Sequence, residues 1–179
     1  MDRASEVEIR LIPAHETHAL RQRVLRPHQT LAEMEFEGDH APDARHYGAF
    51  LNGALVGVGS VRQALPPEQY QQPGDDLRSA WQIRGMAVSE EMRGRGVGMG
   101  ILRALIGWAA QQGGTLIWCN ARTPALSLYR RAGFATRGDE FYPPHIGPHY
   151  FMASCPRHNG FRRRASSTDK PRFQGGDHR

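Results

Sequence analysis

Residues 93–99, Arg-Gly-Arg-Gly-Val-Gly-Met, combine backbone free of side-chain cover with guanidinium charge, which together suit an anion. Glycines at 94, 96, 98 and 100 remove the Cβ atoms that would hold a phosphate away, and they permit positive φ. Arg93 and Arg95 add forked donors. A helix starting inside this turn would direct its first N–H groups and its dipole at the same spot. Spacing excludes two familiar phosphate loops. A Walker loop closes on Gly-Lys-Ser/Thr, whereas Gly98-Met99-Gly100 contains no lysine. A dinucleotide fingerprint needs Gly-x-Gly-x-x-Gly, and Met99 and Ile101 occupy the last position for either starting pair. What remains is Arg-x-x-Gly-x-Gly, as Arg93, Gly96 and Gly98.

Other residues suit proton transfer. Tyr129 lies in Leu128-Tyr129-Arg130-Arg131-Ala132-Gly133-Phe134. Taken alone, its spacing from Ala125, Leu128 and Ala132 describes the packing face of a short helix. His46 and His149 fall in strand-like runs. A neutral imidazole there accepts a proton, although a lone strand histidine equally serves packing. Glu33, Glu35, Phe36 and Asp39 occupy an irregular stretch and read either as pocket lining or as solvated loop charges. Cys119 sits beside Trp118 in an apolar run with no neighbouring base, the setting of a buried, inert thiol. Cys119 and Cys155 lack metal-ligand spacing, so no metal and a reduced, cytoplasmic protein are expected.

The elements that position these residues follow from periodicity and punctuation. Residues 7–12 alternate as a strand, with Val7, Ile9 and Leu11 facing a core, and Pro13 ends it. Residues 14–25 read as a helix broken at Pro27, and 28–44 as a short helix and loop. Strands over 46–51 and 54–61 are joined by Asn52-Gly53, a type I′ hairpin signal. Three prolines make 66–79 a surface loop ahead of a strand over 81–88. Beyond the glycine turn, Val97, Ile101, Leu105, Trp108 and Ala109 recur at helical spacing until Gly113-Gly114. The run 115–119 is apolar throughout, as in a strand buried on both faces. Thr123-Pro124 reads as an N-cap with proline at the first helical position, opening a helix that closes at Gly133. Residues 134–137 and 149–153 are the last strands. Strand, turn, helix and strand in this order make a right-handed crossover and a parallel pair inside a mixed sheet.

The chain of 179 residues, 39% hydrophobic, supports one domain over 1–155 followed by a tail over 156–179. No run approaches the roughly 18–20 apolar residues of a membrane span. The charged start, Met1 to Glu6, with no apolar stretch after it, is not expected to be a signal peptide. The whole net charge of +5 lies in 157–179, leaving a neutral body. That tail has the composition of a disordered segment, and Arg162-Arg163-Arg164 reads as solvated charge, so nucleic acid is not the expected partner.

Two separated motifs carry a resemblance. Arg93-x-x-Gly96-x-Gly98 after a strand, and Leu128-Tyr129 through Gly133-Phe134 on the second helix after it, resemble the signatures of the GNAT superfamily of N-acetyltransferases. The element order matches over about residues 7–154. The stretches 118–122 and 147–152 are similar to a small bacterial subgroup with undefined acceptors. The resemblance implies an α/β fold: a twisted, mostly antiparallel mixed sheet of six to seven strands, about four helices and a splayed central parallel pair. It implies acetyl-CoA as donor to a primary amine of a small molecule or protein, by direct attack on the thioester. Residues Arg93, Gly94, Arg95, Gly96, Val97, Gly98 and Met99 would hold the pyrophosphate. The backbone of Met86, Ala87 and Val88 would pair with the pantetheine arm as an added strand does, and the Val88 N–H would face the thioester carbonyl oxygen. Tyr129 would protonate the leaving thiolate, since a phenol near about pKa 10 can supply a group near about 8.5. His149 or His46 would relieve the amine of its proton, with Glu33 and Glu35 as weaker candidates. Family members carry asparagine seven residues before the tyrosine. Here Arg122 stands there and Asn120 lies nine before, so a cofactor contact passes to Asn120. Many relatives are dimers, so a homodimer is expected. The alternative is an acyl-CoA-binding regulatory module without catalysis, against which the intact loop and Tyr129 both speak.

Overall fold

The computed structural model describes residues 6–156; the tail over 157–179 lies outside them. Strands β1 (Glu8–Ile12), β2 (Arg45–Leu51), β3 (Ala54–Gln63), β4 (Ala80–Val88), β5 (Leu116–Arg122), β6 (Ala135–Thr136) and β7 (His149–Ser154) make one sheet. Its order is β1-β2-β3-β4-β5-β7-β6. Every neighbouring pair is antiparallel except β4 and β5. The hairpin between β2 and β3 turns on Asn52 at φ 51° and Gly53 at φ 82°, as type I′ geometry requires. No helix among the described residues is long and apolar enough to cross a membrane.

Residues 14–25 are helical, but not as one regular helix. A 3-10 turn at Ala14–Thr17 passes into α1 (His18–Leu20) and then a π turn at Arg21–Leu25. This segment covers one face of β3 and β4, where Ile12, Leu20, Phe50, Val58 and Ala87 form a small core. The opposite face carries α2 (Val97–Gln111), whose Val97, Ile101, Leu105 and Ala109 are buried against β2, β3 and β4. Glycines of β3 let α2 approach. A Cβ at Gly59 would lie 2.8 Å from Ile101 and 2.9 Å from Leu105. α3 (Leu126–Arg131) follows β5.

Two local expectations are corrected. Leu11 does not face the core; it is 54% exposed, while Ile12 is buried on the other face. α2 crosses the edge strand at Ile9, whose Cδ1 would lie 2.5 Å from a Cβ at Gly100, and does not reach Leu11. Gly100 therefore serves helix-to-strand packing. Nor does Thr123 cap α3: its Oγ1 donates to Glu140 Oε2 at 2.7 Å, and a 3-10 turn at Thr123–Ala125 precedes the helix.

Candidate active site

β4 and β5 run side by side for only three pairs, Ala80↔Leu116, Trp81↔Ile117 and Gln82↔Trp118. β4 then continues to Val88 and β5 to Arg122 without pairing each other, so the sheet opens into a wedge. β7 follows β5 over its whole length, with Arg122 opposite His149. β4 stays with β3 but carries a bulge: Val58 pairs with Ala87 and Ser60 with Arg84, leaving Gly85 and Met86 opposite Gly59. Gly85 takes φ 62°, and a Cβ there would meet Arg21 Nε at 2.8 Å.

Beyond the bulge, Ser89 N–H donates to the Val56 carbonyl at 2.9 Å. Hydrogen-bonding direction alternates along an antiparallel strand, so Val88 and Met86 turn their N–H and C=O groups away from β3, into the wedge. Ala87 turns the other way, and its side chain packs with Leu20 and Val58.

The glycine turn stands at the end of β4. Gly94 and Gly96 adopt φ 72° and 81°, and nothing lies within 4 Å of a Cβ built on either. Gly96 is the N-cap of α2 and supplies no side chain to the first-turn N–H groups. Arg93, Gly94, Arg95 and Gly96 are exposed, Gly98 and Met99 half-buried, and the Val97 side chain is in the core. A Cβ built on Gly98 would stand in ordinary contact distance of Leu128 and Val88, so the turn lies beside α3. Arg93 also borders a cleft of about 280 Å³ with Arg23, Val24, Glu90 and Glu91. Arg23 carries no motif, and only the packing of the 14–25 segment on β4 brings it there.

Tyr129 on α3 is 5% exposed and meets Phe134 edge-on at 5.7 Å. Burial, then the nearby Cys119 thiol, push its phenol well above the usual value. Burial pushes the Cys119 thiol up as well, so it stays protonated and inert.

The two histidines differ. His149 Nδ1 lies 2.8 Å from the Gly147 carbonyl, which can only accept, so Nδ1 holds the proton and Nε2 keeps the lone pair of the neutral ring. Burial lowers its pKa most, and Arg122 and Arg26 lower it further against the Gly147 contact. His46 has both nitrogens engaged. Nε2 donates to the Asp39 carbonyl at 2.8 Å, and Nδ1 accepts from Ser60 Oγ at 2.6 Å. Ser60 in turn accepts from Arg21 Nη2 at 2.8 Å.

Arg21 is fully buried and pairs with Asp39 at 2.5 Å, lies 4.1 Å from the Phe36 ring centre and donates to the Met34 carbonyl at 2.8 Å. Arg84 shares Asp39 at 2.9 Å. Asp39 and Phe36 thus belong to a buried polar knot that fastens the 28–44 stretch to the sheet. Glu33 is exposed and accepts from Thr30 N–H and Oγ1, and Glu35 is exposed beside His40. Asn120 is exposed on β5, beyond the point where β4 departs. No group of three or more histidine, cysteine or acidic residues suited to a metal occurs among the described residues.

An uncapped helix N-terminus thus follows a strand whose backbone is unpaired on the side of the wedge. The GNAT acetyltransferase family model matches residues 12–134. An uncharacterized N-acetyltransferase of Bacillus subtilis (strain 168), YitI, is 32% identical over 146 residues, covering 82% of this chain and 94% of that protein. Among solved structures, the aminoglycoside acetyltransferase AAC(6')-Ib in complex with coenzyme A superposes with a TM-score of 0.60 at 23% identity, over 85% of this chain and 96% of that one. The IAA acetyltransferase from Bacillus cereus ATCC 14579 gives 0.59 at 18% identity, over 84% and 99%. The chain belongs to the GNAT acetyltransferase family. It is an acetyl-CoA-dependent N-acetyltransferase with the mixed, mostly antiparallel sheet of that family.

Proposed function

We propose that the pyrophosphate of acetyl-CoA rests on the backbone N–H groups of residues 93–99, flanked by Arg93 and Arg95. Acetyl-CoA supplies an activated acyl group, a thioester carbonyl open to attack by an amine. Met86 and Val88 offer their wedge-facing backbone groups to the pantetheine arm, Ala87 sets their phase, and Asn120 lines the opposite strand. The Val88 N–H donates to the carbonyl oxygen as negative charge develops there, a preorganised contact that needs no solvent rearrangement. Tyr129 keeps its proton at rest because burial disfavours the phenolate; it would lend that proton to the departing sulfur and regain one from solvent, to which His149 returns the amine's proton. His149 Nε2 takes the proton from the amine. His46 holds the scaffold, since its lone pair is already engaged by Ser60.

The observation that carries this reading is the wedge, three residue pairs after which β4 and β5 no longer pair, with β4 leading on to a glycine turn open over Gly94 and Gly96. Two free thiols, Cys119 and Cys155, support a reducing, cytoplasmic setting and a bacterial enzyme of the YitI kind. The acceptor is a primary amine; a homodimer is compatible with the fold, and nucleic acid has no part in this reading. Calorimetric titration with acetyl-CoA, followed by assay of thiol release with a panel of amines, tests it. Saturable binding that Gly96→Val weakens by about tenfold or more, with turnover of at least one amine, is the expected result. Binding indifferent to Gly96→Val would remove the loop assignment, and binding without any turnover would favour the regulatory module.

A further inference from the structure

We propose that the amine acetylated here also carries an anionic group, a carboxylate or a phosphate, seated between Arg122 and Arg26 at the wide end of the wedge. The proposal rests on reading that wedge as the reaction site. Arg122 ends β5, paired with His149, and is half-buried; its Nη2 donates to the Leu25 carbonyl, which places it beside Arg26. Arg26 is half-buried too, 4.9 Å from the Phe36 ring centre and 3.4 Å from Gln29 Oε1.

Neither guanidinium has a carboxylate within ion-pair distance among the described residues; half-buried Arg45 and Arg62 also lack one, whereas half-buried Arg84 and Arg137 and the fully buried Arg21 are paired. Arg21 and Arg84 divide Asp39, and Arg137 has Asp75. Glu33 is close enough to feel the charge of Arg26, but it is exposed, beyond ion-pair distance, and held by the Thr30 N–H and Oγ1. Two like charges taken partly out of water with no counter-ion are costly unless a ligand supplies one. Burial, and then Arg26, hold the Arg122 guanidinium below its ordinary proton affinity, in keeping with an uncompensated pair.

The pair also serves the reaction. A cation entering beside two guanidiniums is repelled unless its own anion accompanies it. Once seated, the same charges lower the ammonium's pKa and favour the neutral, nucleophilic amine that His149 must present. Polyamines lacking an anion are disfavoured on both grounds.

Two measurements test this. In the first, chloride is replaced by acetate or inorganic phosphate at constant ionic strength and Tm is read. The wild type should rise by about 2–4 °C at anion concentrations several times Kd. The acetate rise should vanish in Arg122→Gln and shrink in Arg26→Gln, and in phosphate both variants should keep only the smaller rise that belongs to the glycine turn. Acetate against phosphate tells which anion fits. No rise, or the same rise in Arg122→Gln, overturns the proposal. In the second, kcat/KM is compared within matched amines, glycine against methylamine and phosphoethanolamine against ethanolamine. The anionic member should lead by about tenfold or more, the worth of one charge-assisted contact. Arg122→Gln should erase that lead and Arg122→Lys retain part of it. A lead for the neutral twin, or one that survives Arg122→Gln, overturns the proposal. Failure to bind acetyl-CoA would sink the acetyl-transfer reading while leaving the anion response measurable, so the two failures are told apart.

Discussion

In the proposed mechanism Tyr129 and His149 need opposite protonation states at neutral pH, and burial favours both, since it disfavours phenolate and imidazolium alike. Tyr129→Phe keeps the ring packed on Phe134 but removes the proton. We expect kcat to fall by about 10²-fold or more with acetyl-CoA affinity unchanged, read by titration beside steady-state rates. His149 acts only when neutral, and its pKa lies below the ordinary 6.5. The rate should therefore climb with pH through a value under 6.5 and level above it. His149→Gln should lower the plateau and flatten that limb, whereas an unchanged profile would assign the limb elsewhere. Asp39 supplies a stability prediction. Burial alone would raise its pKa, but Arg21, the Phe36 N–H and Arg84 together bring it below the usual carboxylate value. A depressed carboxyl contributes stability above its unfolded pKa, near about 3.9, and loses it as pH falls through the folded value. Asp39→Asn strips Arg21 of its partner inside the fold and should cost about 3–5 kcal/mol at neutral pH in denaturant unfolding.

Elements set what those side chains meet. Gly96→Val places a β-branched residue at φ 81° in space that is otherwise open. The strain of about 1–2 kcal/mol is tolerable, so the variant should fold and yet bind acetyl-CoA at least about tenfold more weakly. Gly53→Ala, at φ 82° in the β2–β3 hairpin, bears a comparable backbone strain outside the glycine turn and should lower Tm with kcat/KM intact. Most elements were legible because their signals are local. Asn52-Gly53 makes a hairpin, Gly113 at φ 81° follows α2, and Gly133 at φ 90° follows α3. Local signals misjudged Leu11 and Thr123, where a distant partner decides: the crossing point of α2 in one case, Glu140 in the other. The bulge at Gly85–Met86 gave no signal at all, because a bulge depends on the register between two strands and Gly85 reads simply as a strand glycine.

Across the whole molecule, the described residues 6–156 contain the turn, the wedge and both proton-transfer candidates. Removal of residues 157–179 should leave acetyl-CoA affinity and kcat unchanged while lowering net charge by five, measured on the full chain and its truncation side by side. The anion turn, the Leu128–Phe134 signature, the element order and hence the family and cofactor were determined by the sequence itself, because each depends on residues adjacent in the chain. Only the tertiary structure separated His149 from His46, since Ser60 and the Asp39 carbonyl approach His46 from other elements and occupy both its nitrogens. Only the tertiary structure, likewise, brought Arg122 of β5 beside Leu25 and Arg26, two guanidiniums nearly a hundred residues apart in the chain and, among the described residues, without a carboxylate in ion-pair distance. Chain neighbours specify backbone conformation; which charges share one desolvated space is decided by packing.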